Sequence, residues 1–263
     1  YYVMLRKIII VGFTLGVILV QGCIEPIEYR IQLENPSSLV RSDEPIVIPR
    51  SDLKAWFGKV PTELVPIITT AEGDTIASQA DDLTGDGNWD EIFFLIDLPP
   101  TSSQELTIAF INPSALPNYT QRSNVWLASP TDDGSYVEVK EAQRPNISRA
   151  NHGQTKKFFQ FEGPGWENDL VGFRVYFDER NGIDIFGKTT REMVLQNVGI
   201  DEDYHQLQDW GMDILKVGKS LGAGSLALIK EDMLHRVAVT SKGNYKLVVN
   251  GPLRSIFRLG FAL

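Results

Sequence analysis

Apolar and polar side chains alternate strictly over residues 171–178. Val171, Phe173, Val175 and Phe177 are apolar, whereas Arg174, Tyr176 and Asp178 are polar. A β-strand sends successive side chains to opposite faces, so this pattern predicts one core face and one polar row. Similar patterns recur every 10 to 20 residues with Gly, Asn, Asp and Pro between them, which predicts an all-β, antiparallel sandwich. Residues 29–33 and 64–70 read as strands, the second turned by Glu72, Gly73 and Asp74. Residues 51–57 read as a short helix capped by Ser51. Residues 92–98 are apolar apart from Asp97, the mark of a strand covered on both faces, and 106–111 is the expected partner. A hairpin is expected from 237–240 and 245–249, turning at 241–244.

The chain opens differently. Met4 is followed by Arg6 and Lys7, an apolar run over 8–20, and then Gln21, Gly22 and Cys23. A basic start, an apolar run too short to span a bilayer and a small residue before the cleavage point read as a secretory signal over 4–22. Val20-Gln21-Gly22-Cys23 resembles a bacterial lipobox, in which the cysteine takes the lipid, although Gln21 stands where a small residue is usual. Cys23 is the only cysteine, so it has no internal disulfide partner. The expected organisation is a lipidated tether at 23–28, an N-terminal β region at 29–113, a linker or long loop at 114–135 and a β-sandwich region at 136–263. The apolar ending at 255–263 reads as a sandwich cut short at its C-terminus, because an unpaired apolar edge is unfavourable. Net charge is −9 with a pI near 4.9, which argues against nucleic-acid partners, since phosphate binding needs a basic face.

Four clusters carry candidate chemistry. Trp166 stands beside Glu167, Asn168 and Asp169, just before the alternating strand. An aromatic face with fixed carboxylate and guanidinium partners suits a hydroxyl-rich ring, which stacks its C–H face and needs partners for its hydroxyls. Asp82, Thr84, Asp86, Asn88 and Asp90 take the first positions of a calcium loop, with Gly87 at the sharp turn. Position 12 is Phe93 and a strand follows, so an EF-hand is rejected. A structural calcium turn and a plain Asx-type turn both remain open, and no cofactor is required. Tyr204 and His205 lie near Trp210 and Asp213. A histidine beside a carboxylate can move protons near neutral pH. Gly218-Lys219-Ser220 lacks the first glycine of a phosphate loop, so no nucleotide is expected.

Four stretches together resemble the lipoprotein family named domain of unknown function 4861: SQADDLTGDGNWDEIFFLIDL, GPGWENDLVGFRVYFDERNGIDIFGK, DYHQLQDWGMDILKVGKSLGAGSLAL and GPLRSIFRL. The resemblance covers nearly everything from Ile31 onward. It implies a galactose mutarotase-like super-sandwich, longer family members, and a place in the cell envelope of Gram-negative degraders of plant and algal polysaccharides. It assigns no catalytic residues, so roles come from residue chemistry. The expected ligand is an acidic, uronate-containing oligosaccharide, and the expected membrane link is the lipid. For catalysis of lyase, hydrolase or epimerase type, His205 is the expected acid or base and Glu167 its counterpart. Arg174 is the expected clamp on a substrate carboxylate, sharing a groove face with Tyr176 and Asp178. Tyr204, Asp169 and Asp213 would position hydroxyls, Trp166 and Trp210 would stack a ring, and Lys188 and Arg254 are further carboxylate partners. The alternative is a non-catalytic carbohydrate-binding or structural lipoprotein.

Overall fold

The computed structural model of the protein describes residues 4–7, 27–146, 158–200, 202–215, 217–218, 220–237 and 242–262. The apolar run of the expected leader and Cys23 lie outside the described residues. The chain divides into two compact units, residues 1–119 and 120–263. The boundary falls inside the stretch expected to be a linker, and the later part of that stretch forms strands.

The N-terminal unit contains β1 (Met4–Lys7), β2 (Glu28–Asn35), β3 (Arg41–Pro49), α1 (Arg50–Phe57), β4 (Val65–Thr70), β5 (Thr75–Ile76), β6 (Ser78–Asp81), β7 (Glu91–Leu98) and β8 (Ser102–Ile111). They form two antiparallel sheets, ordered β1-β2-β8-β4-β5 and β3-β7-β6. Ile31, Leu33, Ile68, Leu106 and Ile108 from the first meet Ile46, Ile48, Ile92, Phe94 and Leu98 from the second in one apolar core. Here the structure corrects an expected pairing: β7 pairs with β3 and β6, while β8 pairs with β2 and β4. Pro99 and Pro100 offer no N–H to a hairpin ladder, and the chain crosses to the facing sheet. The helix also begins earlier than expected. Pro49 is its N-cap residue, and no side chain caps it. Ser51 therefore sits in the first turn, and the Arg50 N–H is satisfied by the Asp90 carbonyl.

The C-terminal unit contains β9 (Ser123–Trp126), β10 (Ala128–Pro130), β11 (Tyr136–Glu138), β12 (Glu141–Gln143), β13 (Gly165–Asn168), β14 (Val171–Val175), β15 (Ile183–Lys188) and β16 (Gly211–Asp213). These are followed by β17 (Ala227–Lys230), β18 (Met233–Arg236), β19 (Lys242–Asn250) and β20 (Ser255–Ala262). A five-stranded antiparallel sheet runs β16-β15-β14-β13-β9 and a three-stranded one runs β12-β19-β20, with β10-β11 and β17-β18 as separate ribbons. The hairpin expected from 237–240 and 245–249 takes another form: β19 pairs with β20 and β12, and residues 238–241 lie outside the described ones. On one face of the five-stranded sheet, Val125, Phe177 and Trp166 pack with Tyr245, Leu247 and Phe257 of the smaller sheet. On the other face lie Phe161, Phe186, Leu195, Val198 and Tyr204. Both faces are thus covered, and the chain is all-β, antiparallel and sandwich-like.

Candidate functional site

Covering both faces of the sheet turns the polar row of β14 inward. Arg174 stands opposite Asp184 in the β14–β15 ladder, and neither side chain reaches solvent. A buried guanidinium requires matched acceptors, and Arg174 has several. Its Nη2 pairs with Asp184 and donates to the Tyr176 hydroxyl at 2.8 Å. Its Nη1 donates to the Phe161 carbonyl at 2.9 Å and the Tyr204 hydroxyl at 3.1 Å. The carboxylates of Glu162 and Asp213 lie 3.7 and 3.8 Å away. Arg180 continues the network, held by Asp178 at 2.6 Å and Glu162 at 2.9 Å. Both guanidiniums lie over the Tyr176 ring, at 4.2 and 3.5 Å. Burial raises the Tyr176 phenol above its usual range, and Arg174 offsets part of that rise. For Arg180, desolvation works against the charge, but the hydrogen bonds and charges of Asp178 and Glu162 outweigh it and raise its pKa. The row expected to line an open groove is an internal ionic network.

Glu167 points to the same face as Arg174. Its Oε2 accepts from Lys188 at 2.6 Å, and its Oε1 accepts the N–H groups of Val194 and Leu195 at 2.8 and 2.9 Å. Those donors open the 3-10 turn at Leu195–Asn197, so the carboxylate closes a helical start that has no cap of its own. Lys188 also donates to the Asn168 carbonyl. Asp169 binds Arg122 at 3.1 Å and Arg191 at 3.4 Å, while the Trp210 indole donates to Glu202 and packs edge-on to Phe186.

Trp166 projects to the opposite face, where its ring stacks on Phe173 with centroids 5.4 Å apart and an interplanar angle of 18°. This aromatic pair borders a cavity of about 300 Å³. The remaining wall includes Asn124, Asn168, Arg254 and Ser255. Asn250 ties part of that wall together: its amide donates to Asn124 at 3.1 Å and its oxygen accepts from Ser255 at 2.8 Å, while Ser123 and Ser255 hydroxyls meet at 2.6 Å. Asn168 stands beside Trp166 in the sequence, whereas Asn124, Asn250 and the two serines carry no motif there. Polar residues inside apolar strands were the available signal, but 126 positions separate Asn124 from Asn250.

His205 lies elsewhere again. Its carboxylate partner is Asp213, with Nδ1 and Oδ2 3.3 Å apart, and not Glu167. Gly211 opens β16 at a φ of 132°, and a Cβ there would meet the Gly187 carbonyl oxygen. The absence of a side chain lets β16 press against β15 and brings Asp213 beside the ionic network. Of the expected site residues, the cavity gathers Trp166, Glu167 and Arg254. The ionic network gathers Arg174, Tyr176, Asp178, Tyr204 and Asp213, with His205 at its outer end.

The acidic turn in the N-terminal unit uses its carboxylates internally. Asp82 accepts the N–H groups of Gly85, Asp86 and Gly87, Asp90 accepts those of Leu83 and Thr84, and Asp86 accepts that of Asn88. Those bonds, led by the one from Gly87, lower the Asp82 pKa. Among the described residues no group of three or more His, Cys, Asp or Glu side chains is arranged to hold a metal ion. As placed, Asp82, Thr84, Asp86, Asn88 and Asp90 form an Asx-type turn held by its own side chains. Among the same residues no helix is long and apolar enough to cross a membrane.

A family model described as "Domain of unknown function (DUF4861)" matches residues 33–262. No curated protein and no solved structure matches the chain.

Proposed function

The chain belongs to the DUF4861 family, and on that premise we propose that it is a lipid-anchored cell-envelope protein that binds, or acts on, acidic oligosaccharides during polysaccharide degradation. The observation carrying this reading is the cavity bordered by Trp166, with Asn124, Asn168, Ser255 and Arg254 on its wall. An indole face takes the C–H side of a pyranose, amides and hydroxyls meet its OH groups, and a guanidinium matches a uronate carboxylate. About 300 Å³ is at the lower end of ligand-pocket volumes, so one or two sugar units are the expected occupants. Binding without chemistry in this cavity is favoured by the state of Glu167, whose oxygens are engaged by Lys188 and two backbone N–H groups.

Titration calorimetry with unsaturated uronate oligosaccharides, beside neutral oligosaccharides of equal length, tests the reading. Trp166→Ala should weaken binding about tenfold, the loss of roughly one aromatic contact. Arg254→Ala should weaken the acidic ligand selectively. Trp166 also packs against Phe173 and Phe257, so thermal melts must accompany the titration. A folded Trp166→Ala variant with wild-type affinity would sink the cavity assignment. The anchor is tested separately: Cys23→Ser should release the protein from the membrane fraction.

A further inference from the structure

Beyond the cavity, one side chain is held far more firmly than its exposure requires. The His205 side chain is 57% exposed, while the side chain of its partner Asp213 is 2% exposed. Asp213 is fixed from several directions. Its Oδ1 accepts the Leu215 N–H at 3.0 Å, its Oδ2 lies 3.8 Å from the buried Arg174 guanidinium, and its own N–H donates to the Tyr204 carbonyl at 2.8 Å. That last bond pins the turn carrying His205 onto β16. The Tyr204 ring packs against the imidazole with centroids 4.6 Å apart, and the Tyr204 hydroxyl accepts from Arg174. Asp203 accepts the His205 N–H at 3.0 Å and fixes the turn from its other side. The buried guanidinium thus reaches the imidazole by two routes, through Asp213 and through Tyr204.

A carboxylate can only accept, so Asp213, with Oδ2 3.3 Å from Nδ1, favours the neutral tautomer with its hydrogen on Nδ1 and its lone pair on Nε2. A histidine with a purely structural role gains by burying its ring, whereas here the dry partner is the carboxylate and the wet one is the imidazole. We propose that His205 is a proton acceptor for the hydroxyl groups of a bound sugar, oriented by Asp213 as a positioning residue, at a site separate from the Trp166 cavity. In the step, the ligand O–H bond breaks and its electron pair stays on oxygen. The proton forms a bond to Nε2, and the imidazolium so made faces the Asp213 carboxylate; returning the proton reverses the step. Only the identity of the ligand as a sugar rests on the function proposed above.

Two measurements test this on the whole protein. Long-range nitrogen–proton NMR should show neutral His205 as the Nδ1–H tautomer. Carbethoxylation by diethyl pyrocarbonate at about pH 8, where ordinary imidazoles are neutral, should modify His205 faster than His235, an exposed internal reference on β18. Asp213→Asn keeps the side-chain size and an acceptor oxygen, and should slow His205 about fivefold relative to His235, on the scale of losing one close carboxylate charge. His205 reacting no faster than His235, an unchanged rate in Asp213→Asn, or the Nε2–H tautomer would each overturn the assignment. Adding an unsaturated uronate oligosaccharide should protect His205. Binding by calorimetry without protection overturns this inference and leaves the cavity reading standing. No binding, with His205 reactivity intact, overturns the cavity reading and leaves the proton acceptor standing.

Discussion

The two units use their sheet faces in opposite ways. In the N-terminal unit aliphatic and aromatic side chains fill the space between β2, β4 and β8 on one side and β3 and β7 on the other, and the buried polar residues Asn35, Ser78, Gln79 and Asp81 include no cation. In the C-terminal unit one face of the main sheet holds Arg174, Asp184 and Glu167, each buried and each matched by an ion-pair partner. Burying aliphatic and aromatic surface stabilises in proportion to area and tolerates exchange among similar shapes. Burying charge costs desolvation that good geometry only offsets, so such a network fixes positions more than it adds stability. The contrast separates a unit organised for stability from a unit that holds particular side chains in place, and the Trp166 cavity and the His205 site both lie in the second.

The largest expected effect breaks the ionic unit. Arg174→Ala leaves Asp184, Asp213 and Glu162 without their shared cation, and should destabilise by about 3–5 kcal/mol in urea unfolding, the range for removing one partner of a buried pair. Hydrogen exchange read peptide by peptide should place the loss in residues 120–263; a cost under about 1 kcal/mol would mean that the network bears little of the fold. Next, Lys188→Met removes the ammonium from Glu167 but leaves its two N–H donors, and should cost about 1.5–3 kcal/mol in the same assay.

The apolar unit should respond more gently. Ile48→Val removes one methylene from a fully buried side chain, with an expected cost of about 0.5–1.5 kcal/mol. If it matched Arg174→Ala, the comparison between the units would fail.

The smallest expected effect should be common to both units. Asp82 in the first has its pKa lowered below the ordinary 3.8, chiefly by the Gly87 N–H. Asp133 in the second is lowered to about 2 by the Thr131 and Ser135 hydroxyls and the Ser135 N–H. A depressed folded pKa means that each carboxylate contributes stability above its unfolded value and loses it as pH falls through the folded one. The Asp133 turn should therefore loosen as pH falls from about 4 toward about 2, and the Asp82 turn as pH falls below its ordinary 3.8, visible as faster amide exchange at Ser135 and at Gly85 and Gly87. Asp82→Ala should lower the melting temperature of the N-terminal unit and abolish its part of that acid response, and a chelator should lower it only if the turn holds calcium.

Local chemistry made much of the architecture legible in the sequence. Strand-like patterning located β2, β4 and β14, a nearly continuous apolar run located β7, and the Asp82 motif announced a tight turn held by its own side chains. The same rule gave both faces of β14 but not their surroundings. Whether Arg174 meets solvent, a ligand or Asp184 depends on what covers the face, and the cover comes from residues 194–204, far along the chain. Strand partners were equally out of reach, since β7 and β8 are neighbours in sequence yet belong to different sheets. Four motifs pointed to the family, whose model matches residues 33–262. Tertiary structure alone decided that Glu167 answers to Lys188, that His205 answers to Asp213, and that Trp166 opens onto Asn124 and Arg254. Periodicity is a property of one strand, whereas the partner of a charge is set by long-range packing that brings distant residues within a few ångströms.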